Sequence, residues 1–435
     1  MKQYDSYKDS GVEWIGEVPS HWEVVHLKQV LNGFQDGTHG TYKNVDNGRM
    51  LLSAKNVTEQ GLEIGENERI ISEEDYAEIV SNGFPKKEDI LLCCVGTIGR
   101  CCIFNEPEPI AFQRSVTFLR TNKCLLYNKV LLYILRNQYV ETQFNLFAKT
   151  SAQSGVYMGD LVNFYIAVPP MQEQSTIANY LDKKCSEIDN VISAQQKRIA
   201  LLQELKQSVI THAVTKGLNP NVEMKDSGVE WIGEVPKHWD VMKTSLAFKG
   251  IGSGTTPSTS KKEFYDEEGK YWLQTGDLND GVIFDTSKKV SDIAIKASNL
   301  KFYPKDSVVI AMYGATIGKV GILGIKTATN QACCVLPANN HMVAKYSFYE
   351  FLACKPALLV SAIGGGQPNI SQDTIRKQKI SVPPVEEQKT IADYLDKTCA
   401  SIDSSISKAQ HQVELLQEYK QSLITEVVTG KRKVS

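Results

Sequence analysis

Two long stretches of the chain place apolar residues at alternating steps of three and four. Each stretch follows a Pro-Pro pair and runs without glycine or proline through more than four heptads. A stripe of this length is typical of a coiled-coil helix. The sequence therefore predicts two such helices, over residues 170–216 and 384–430. The apolar positions that define the stripes are Leu181, Ile188, Ile192, Ile199, Leu202, Val209, Leu395, Ile402, Ile406, Val413, Leu416 and Leu423.

Polar residues interrupt the stripes at Gln195, Lys206 and Lys420. Such interruptions specify the register of a coiled coil at some cost in stability. If the two stripes pair through equivalent positions, the order of segments along the chain predicts antiparallel helices related by a pseudo-twofold axis. The alternative is that each helix packs separately on its own globular segment.

The segments before the stripes contain short runs rich in β-branched residues, separated by Gly, Asn and Asp, which is typical of short strands. Helical periodicity occurs between these runs, over residues 75–82, 127–145, 292–299 and 345–361. We therefore predict an α+β fold: two tandem globular domains separated by two long antiparallel coiled-coil helices. We call residues 1–169 head 1 and residues 217–383 head 2, and residues 431–435 form a basic tail.

An internal repeat supports this organisation. Lys8–Pro19 recurs without change as Lys225–Pro236, and each copy leads to a His-Trp pair. The block that opens the first stripe, Val168–Lys183, returns as Val382–Lys397. This repeat indicates that the two heads are copies of one structural unit.

The repeated tryptophans are Trp14 and Trp22 in head 1 and Trp231 and Trp239 in head 2. Because these residues are identical in the two copies, we expect them to have the same role in both heads. We interpret these residues as packing each head on its helix, with a shared partner interface as the alternative.

Composition is that of a soluble globular protein, with 42% hydrophobic and 23% charged residues. No apolar run approaches the length of a membrane span, and the polar N-terminus lacks the apolar core of a signal peptide. We expect a cytoplasmic protein that does not contact membranes.

Three pairs of adjacent cysteines, such as Cys93-Cys94, lie in strand-like apolar runs. Neighbours on a strand point to opposite faces and pair poorly. Because no Cys/His set has zinc spacing, buried reduced thiols are predicted, with a redox or metal role as the alternative.

The doubled phrase Asp-Ser-Gly-Val-Glu-Trp-Ile-Gly-Glu-Val-Pro-x-His-Trp, with Pro-Pro-x-x-Glu-Gln-x-x-Ile-Ala-x-Tyr-Leu-Asp opening each stripe, resembles the specificity subunit of type I restriction-modification enzymes. The resemblance spans essentially the whole chain. It implies two target-recognition domains that each read half of a split double-stranded DNA sequence. It also implies helices that set the spacer and dock two methyltransferase (modification) subunits, joined by restriction motor-nuclease subunits. S-adenosylmethionine, Mg and ATP would bind those partners, and this chain would bind no metal or cofactor.

The motifs of the sequence also predict that this chain is not an enzyme. The sequence contains no adenine-methyltransferase Asn/Asp-Pro-Pro-Tyr/Phe, no Gly-x-x-x-x-Gly-Lys-Ser/Thr and no nuclease carboxylate cluster. The glycine-rich residues 250–254 are interpreted as a flexible loop facing DNA phosphates. Residues 36–39, Asp-Gly-Thr-His, are interpreted as a DNA-facing loop or a structural turn rather than an acid–base pair.

Candidate DNA contacts are polar side chains on predicted loops, because Arg or Lys can pair with guanine and Asn or Gln with adenine in the major groove. The alternative is that the cations are merely solvated, and that Gln113 and Gln331, placed equivalently in the two heads, satisfy internal backbone groups. In head 1 the candidates are Thr38, His39, Lys43, Lys55, Asn56, Thr97, Arg100, Gln113 and Arg114. In head 2 they are Thr255, Thr256, Ser258, Lys261, Lys262, Gln274, Thr316, Lys319, Asn330, Gln331, Gln367 and Asn369.

Charge limits what the chain can do alone. Residues 1–170 contain 16 Lys and Arg against 21 Asp and Glu, and residues 218–383 contain 19 against 16. A free-standing DNA-binding protein is usually strongly basic. We therefore expect weak, salt-sensitive DNA binding without partners. A competing hypothesis is a DNA-independent symmetric scaffold that joins two partners through its coiled coil.

Overall fold

The computed structural model describes residues 3–148, 155–360 and 369–434. The chain forms two compact units, and each unit combines one head with part of both long helices. One unit is Met1–Gln195 with His411–Ser435, and the other is Gln196–Gln410. The predicted α+β fold with two tandem heads is confirmed.

The described residues of head 1 form eleven strands: β1 Tyr7–Asp9, β2 Glu17–Pro19, β3 Glu23–His26, β4 Leu31–Asp36, β5 Arg49–Leu52, β6 Ile70–Ile71, β7 Ile90–Cys93, β8 Cys101–Ile103, β9 Ala111–Phe112, β10 Val116–Thr121 and β11 Tyr165–Val168. Its helices are α1 Glu73–Ser81, α2 Asn128–Leu135, α3 Gln138–Phe147 and α4 Met158–Leu161.

The centre of head 1 is a four-stranded sheet in the order β4-β10-β7-β8, beside a three-stranded sheet in the order β6-β5-β9. Successive residues of β7 point to opposite faces of its sheet. Leu91 and Cys93 pack in one core with Leu52 and Phe112 of the smaller sheet. Ile90 and Leu92 pack in the core that contains α2 and α3. Burial on both faces explains why this strand is apolar throughout.

In head 2, outside residues 361–368, there are thirteen strands: β12 Met224–Asp226, β13 Glu234–Pro236, β14 Asp240–Lys243, β15 Gly252–Ser253, β16 Tyr265–Leu273, β17 Gly281–Ile283, β18 Lys289–Val290, β19 Phe302–Tyr303, β20 Val308–Ala311, β21 Val320–Leu323, β22 Thr327–Thr329, β23 Cys333–Leu336 and β24 Lys379–Val382. With the first long helix numbered α5, its helices are α6 Thr244–Ala247, α7 Asp292–Ala297, α8 Ala344–Val360 and α9 Gln372–Lys377.

The sheets of head 2 repeat those of head 1. The order β15-β23-β20-β21 corresponds to β4-β10-β7-β8 and gains β17 at one edge. The order β18-β16-β22 corresponds to β6-β5-β9 and gains β19. The internal repeat therefore extends through the segments whose sequences have diverged.

One predicted helix is wrong in extent. Residues 127–145 contain two helices, α2 and α3, because α2 ends at Leu135 and Asn137 caps the start of α3. Its side-chain oxygen accepts a hydrogen bond from the N–H of Tyr139 at 2.9 Å, which stabilises a helix N-terminus. Its amide nitrogen donates to Thr425 Oγ1 at 3.0 Å. In head 2, α8 is unbroken, and Ala353 stands at the corresponding position.

The long helices are α5, Met171–Lys216, and α10, Val385–Val428. Every predicted apolar stripe position is buried or half-buried. In each unit the N-terminal part of one helix packs with the C-terminal part of the other, through Leu181 and Leu423 in one unit and through Val209 and Leu395 in the other. The helices are therefore antiparallel within each unit.

The lysines that interrupt the stripes pair with acids of the opposite helix. Lys206 Nζ lies 2.7 Å from Asp403 Oδ1, and Lys420 Nζ lies 2.8 Å from Asp189 Oδ1. The two pairs occupy repeated sequence positions. Each pair holds one register of the antiparallel helices, as predicted from the interruptions.

We expect Lys206→Glu to lower the free energy of unfolding by about 1 kcal/mol, because it places two acids together on a half-exposed surface. Adding Asp403→Lys should recover most of that loss. Thermal unfolding of the two single variants and the double variant gives the coupling energy. Lys408→Glu is the control, because Lys408 lies on α10 near Asp403, is exposed and forms no ion pair with any described residue. An equal loss there would show that the pair contributes nothing specific.

All ten cysteines are free thiols, and all except Cys124 are buried. Burial raises the pKa of Cys101 to about 11, so this thiol stays protonated and unreactive. The buried-thiol prediction is therefore confirmed for nine of the ten. In the part of the chain that the structure describes, no cluster of His, Cys, Asp or Glu could hold a metal ion. Nor is any described helix long and apolar enough to cross a membrane.

Candidate nucleic-acid interface

In head 1, residues 37–39 after β4 lie against residues 112–114, and we call this contact the head 1 junction. Thr38 and Gln113 form a parallel bridge. The carbonyl of Thr38 accepts a hydrogen bond from the N–H of Arg114 at 2.9 Å. The predicted candidates Thr38, Gln113 and Arg114, distant in sequence, are therefore brought together.

The head 2 junction consists of residues 254–256 against residues 329–331. The N–H of Thr255 donates to the carbonyl of Thr329 at 3.0 Å. The hydroxyl of Thr256 donates a short hydrogen bond to Gln331 Oε1. The candidates Thr255, Thr256, Asn330 and Gln331 thus share one site, built like that of head 1.

Backbone hydrogen bonds decide which residues correspond between the junctions. Gln113 N–H donates to the Leu52 carbonyl at 2.8 Å, and Asn330 N–H donates to the Leu273 carbonyl at 2.9 Å. Gln113 therefore matches Asn330, and Arg114 matches Gln331. The predicted equivalence of Gln113 and Gln331 is wrong by one residue, because it matched residue types whereas the strand register is set by hydrogen bonds.

A glycine permits the close approach in both heads. A Cβ on Gly37 would lie 2.3 Å from the carbonyl oxygens of Phe112 and Gln113. A Cβ on Gly254 would lie 1.6 Å from the carbonyl oxygen of Thr329. The prediction of a flexible loop at residues 250–254 is therefore wrong. Gly252 and Ser253 form strand β15, and Gly254 enters the junction, where the absence of a side chain permits the close contact with Thr329.

A short 3-10 turn beside each junction carries further candidates, and one of them must be withdrawn. Asn56 is buried, and its amide donates to the carbonyl of Glu63 at 3.0 Å and to Glu68 Oε1 at 2.8 Å. A side chain used in this way cannot read a base. Lys55 is exposed, but its ammonium lies 2.8 Å from Glu68 Oε2, and this contact lowers the pKa of Glu68. Gln274 is half-buried and directly precedes the corresponding turn of head 2, Thr275–Asp277.

The turns after β7 and β20 also correspond. Arg100 N–H donates to the Thr97 carbonyl at 3.3 Å, and Lys319 N–H donates to the Thr316 carbonyl at 2.9 Å. Arg100 additionally donates through Nη1 to the carbonyl of Val57 at 3.3 Å. Both turns therefore present a cation at the same place, and that of head 1 is held by the backbone near the 3-10 turn.

The remaining candidates lie on the surface away from these contacts. Lys43, Ser258, Lys262 and Asn369 are exposed. Lys261 Nζ lies 5.1 Å from the ring centroid of Phe264, a cation–π contact that orders this lysine. Gln367 lies outside the described residues. The structure thus collects part of the candidate set at the two junctions and leaves these residues dispersed.

A cavity of about 350 Å³ opens beside the head 1 junction, between Asp36, His39 and the aromatic rings of Phe112 and Phe118. His39 Nε2 lies 3.9 Å from Asp36 Oδ2, which is too long for a hydrogen bond. Asp36 instead accepts a hydrogen bond from the buried hydroxyl of Thr117. Asp36 therefore has a structural hydrogen bond inside head 1 and does not orient His39.

Two glutamines that sequence reasoning missed fix the heads to the helices. Gln174 is buried, and its Oε1 accepts the N–H of Tyr127 at 2.7 Å while Nε2 donates to the carbonyl of Pro169 at 2.8 Å. Gln388 repeats this with Val343 at 2.8 Å and Pro383 at 2.9 Å. Buried amides satisfied in this way hold one orientation. The signal was present in the repeated Pro-Pro-x-x-Glu-Gln block.

The repeated tryptophans also act in packing. Trp22 and Trp239 are completely buried, which confirms that interpretation for them. Trp14 and Trp231 are half-buried against the cores of their heads. Beside them His21 Nε2 lies 2.6 Å from Glu173 and His238 Nε2 lies 2.9 Å from Glu387, so each repeated phrase contacts the first turn of the helix that follows its own head.

Two tandem α+β heads of one topology, joined to antiparallel long helices, define the fold of a two-domain specificity subunit. Solved structures with this fold include a chain from a study of complex assembly and conformational transition of the type I R-M system, at a TM-score of 0.72 and 15% identity over 94% of this chain and 98% of that one. The HsdS subunit from Thermoanaerobacter tengcongensis matches at a TM-score of 0.52 and 15% identity, covering 95% and 98%.

The chain belongs to the family described as type I restriction modification DNA specificity domain, which matches twice, over residues 19–201 and 236–415. Among curated relatives, the MjaX type I restriction enzyme specificity subunit of Methanocaldococcus jannaschii is 27% identical, covering 97% of this chain and 96% of the relative. The EcoR124I/EcoR124II specificity subunit of Escherichia coli is 23% identical, covering 65% and 74%. The predicted family and its non-catalytic class are thereby confirmed.

Proposed function

We propose that this chain reads a two-part double-stranded DNA sequence, one part with each head. One observation carries the proposal: the two junctions have the same backbone but different polar side chains. Arg114 in head 1 corresponds to Gln331 in head 2, and His39 corresponds to Thr256. The common backbone would let both heads dock on DNA in the same way. The different exposed donors and acceptors would then let each head recognise different bases.

We further propose that the long helices set the spacing of the two parts and dock two methyltransferase subunits, with restriction subunits joining them. Exposed apolar side chains at repeated helix positions support docking: Leu201 and Leu205 on α5 are 64% and 49% exposed, and Leu415 and Tyr419 on α10 are 49% and 50% exposed. Apolar surface of this kind marks protein contacts. S-adenosylmethionine, Mg and ATP would then be bound by the partners.

Partners would also supply phosphate contacts. The formal net charge of −2 gives the chain little general attraction for DNA. Measured alone in physiological salt, the chain should bind its site far more weakly than the nanomolar range usual for specific complexes.

The test is to replace residues 237–378 within head 2 with the corresponding segment of another family member, and to map methylated adenines in host DNA. We expect a split methylation motif that changes only in the half assigned to head 2. Replacing head 1 instead should change only the other half, and it serves as the reciprocal control.

The outcomes distinguish the two hypotheses for this chain. If methylation depends on the chain but neither exchange alters the motif, the chain is a DNA-independent scaffold and the reading proposal is wrong. If both halves change together, the heads do not read separate parts.

A further inference from the structure

We infer that Arg114 and Gln331 are corresponding base-reading residues: Arg114 selects a guanine in the part read by head 1, and Gln331 selects an adenine in the part read by head 2. This inference rests on the proposed function and adds the chemistry that each head recognises.

Both residues combine a fixed backbone with an exposed side chain. Arg114 N–H is bonded to Thr38, and the preceding residues, Gln113 and Asn330, are each bonded to a strand of the smaller sheet. The side chains of Arg114 and Gln331 are exposed. A side chain that reads a base must start from a defined position and reach outward, because a misplacement of about 1 Å removes a bidentate contact.

Arg114 is the free guanidinium of the head 1 site. The Arg114 side chain makes no hydrogen bond or ion pair with any residue that the structure describes, and only its backbone N–H is bonded. By contrast, Arg100 donates to the Val57 carbonyl, and Lys55 is paired with Glu68. Lys43 is exposed and pairs with no acid among the described residues. Its ammonium is a point charge, however, whereas the planar guanidinium of Arg114 can donate two parallel hydrogen bonds. Guanine O6 and N7 accept such a pair in the major groove.

Gln331 presents an oriented amide. The hydroxyl of Thr256 donates to its Oε1, so that oxygen keeps one lone pair free and the adjacent Nε2 keeps both of its hydrogens. Adenine offers a donor at N6 and an acceptor at N7, which is the complementary pair. Thr256 is therefore a positioning residue, and it acts through the orientation of Gln331 rather than by touching the base.

The experiment is selection of duplexes from a randomised pool by the full chain at low ionic strength, followed by sequencing. Arg114→Lys keeps the positive charge but loses the two parallel N–H donors of the guanidinium. We expect it to reduce the preference for guanine at one position by about 10- to 100-fold, with total binding to the pool nearly unchanged. Arg114→Gln should shift that position toward adenine. Lys87→Gln, an exposed and unpaired cation of head 1 outside the junction, is the control for lost charge.

In the other half, Gln331→Ala should abolish the adenine preference and leave the head 1 half intact. Thr256→Val, which keeps the side-chain shape but removes the hydroxyl, should weaken the adenine preference. Thr256→Ser, which keeps the hydroxyl, should leave that preference intact. A purely structural role of the threonine predicts neither result. If Arg114→Lys and Gln331→Ala leave the motif unchanged while head exchange alters it, the inference is wrong and the proposed function stands. If the wild-type chain selects no sequence and head exchange changes nothing, both are wrong.

Discussion

Raising the pH from about 5 to about 8 should destabilise the unit that contains head 2, and Glu350→Gln should remove that dependence. Glu350 lies on α8 and is completely buried. Its Oε1 accepts a hydrogen bond from the N–H of Ser381 at 2.7 Å, and the Ser381 hydroxyl lies 2.9 Å from Oε2. The same hydroxyl is 2.6 Å from the carbonyl of Val214, near the end of α5. The carboxyl therefore belongs to the contact between head 2 and its helices.

Burial is the main cause of the shifted titration. It disfavours the charged carboxylate and raises the pKa of Glu350 to about 8, against the opposing effect of hydrogen bonds from Ser381 and Tyr346. The side chains that face the Glu350 carboxyl are uncharged. They are Ser381 and two groups whose pKa values are raised, Tyr346 and Cys354.

The sign follows from proton linkage. The folded state holds the Glu350 proton more tightly than the unfolded chain, whose carboxyl titrates near 4.5. This contribution to stability is therefore complete below the unfolded pKa and is lost as the pH rises through the folded pKa. At about 1.4 kcal/mol per unit of pKa, the loss is at most roughly 5 kcal/mol.

Thermal unfolding of wild type and Glu350→Gln, compared at each pH, isolates this group because other titrations are common to both proteins. Head 1 provides an internal contrast, since Val130, Ile134 and Ala167 occupy the places of Tyr346, Glu350 and Ser381. Hydrogen exchange should locate the pH-dependent opening in head 2. A difference between the two proteins that is constant from pH 5 to 9 would contradict a neutral buried carboxyl.

Gly254→Ala is expected to destabilise head 2 by at least about 2 kcal/mol and to abolish sequence preference in its half of the DNA target. The added Cβ would meet the Thr329 carbonyl oxygen at 1.6 Å, which is backbone and cannot rotate away. Overpacking of this kind usually costs about 1 to 3 kcal/mol or more. The two strands of the junction must separate, which displaces Thr255 and Gln331.

Gly276→Ala is the matched control, because its added Cβ would meet nothing within 4 Å. Gly37→Ala, where the distance is 2.3 Å, should have the same effect on head 1. Gly159→Ala is its control, because no described atom lies within 4 Å of a Cβ added there. Thermal unfolding measures stability, and duplex selection measures the sequence preference of each head. Equal stability of Gly254→Ala and Gly276→Ala would show that the junction is not closely packed in solution.

Local pattern and repetition determined most of the architecture. The heptad stripes predicted α5 and α10 nearly to their ends. Apolar residues at alternating steps of three and four fall on one face of a helix, and that face can be buried. The repeated phrases predicted two heads of one fold, because residues buried in the same way must be alike in both copies, as Trp22 and Trp239 are.

Only the tertiary structure decided which polar residues are available to a partner. Asn56 is a candidate DNA contact by sequence, but its amide bonds internal groups. Gln174 drew no prediction from the sequence, yet it is buried and fixes head 1 to its helix. The correspondence of Arg114 with Gln331 also required the hydrogen-bond register. The physical reason is the same in each case: a polar side chain can be satisfied by water, by backbone or by a ligand, and only the residues folded against it determine which.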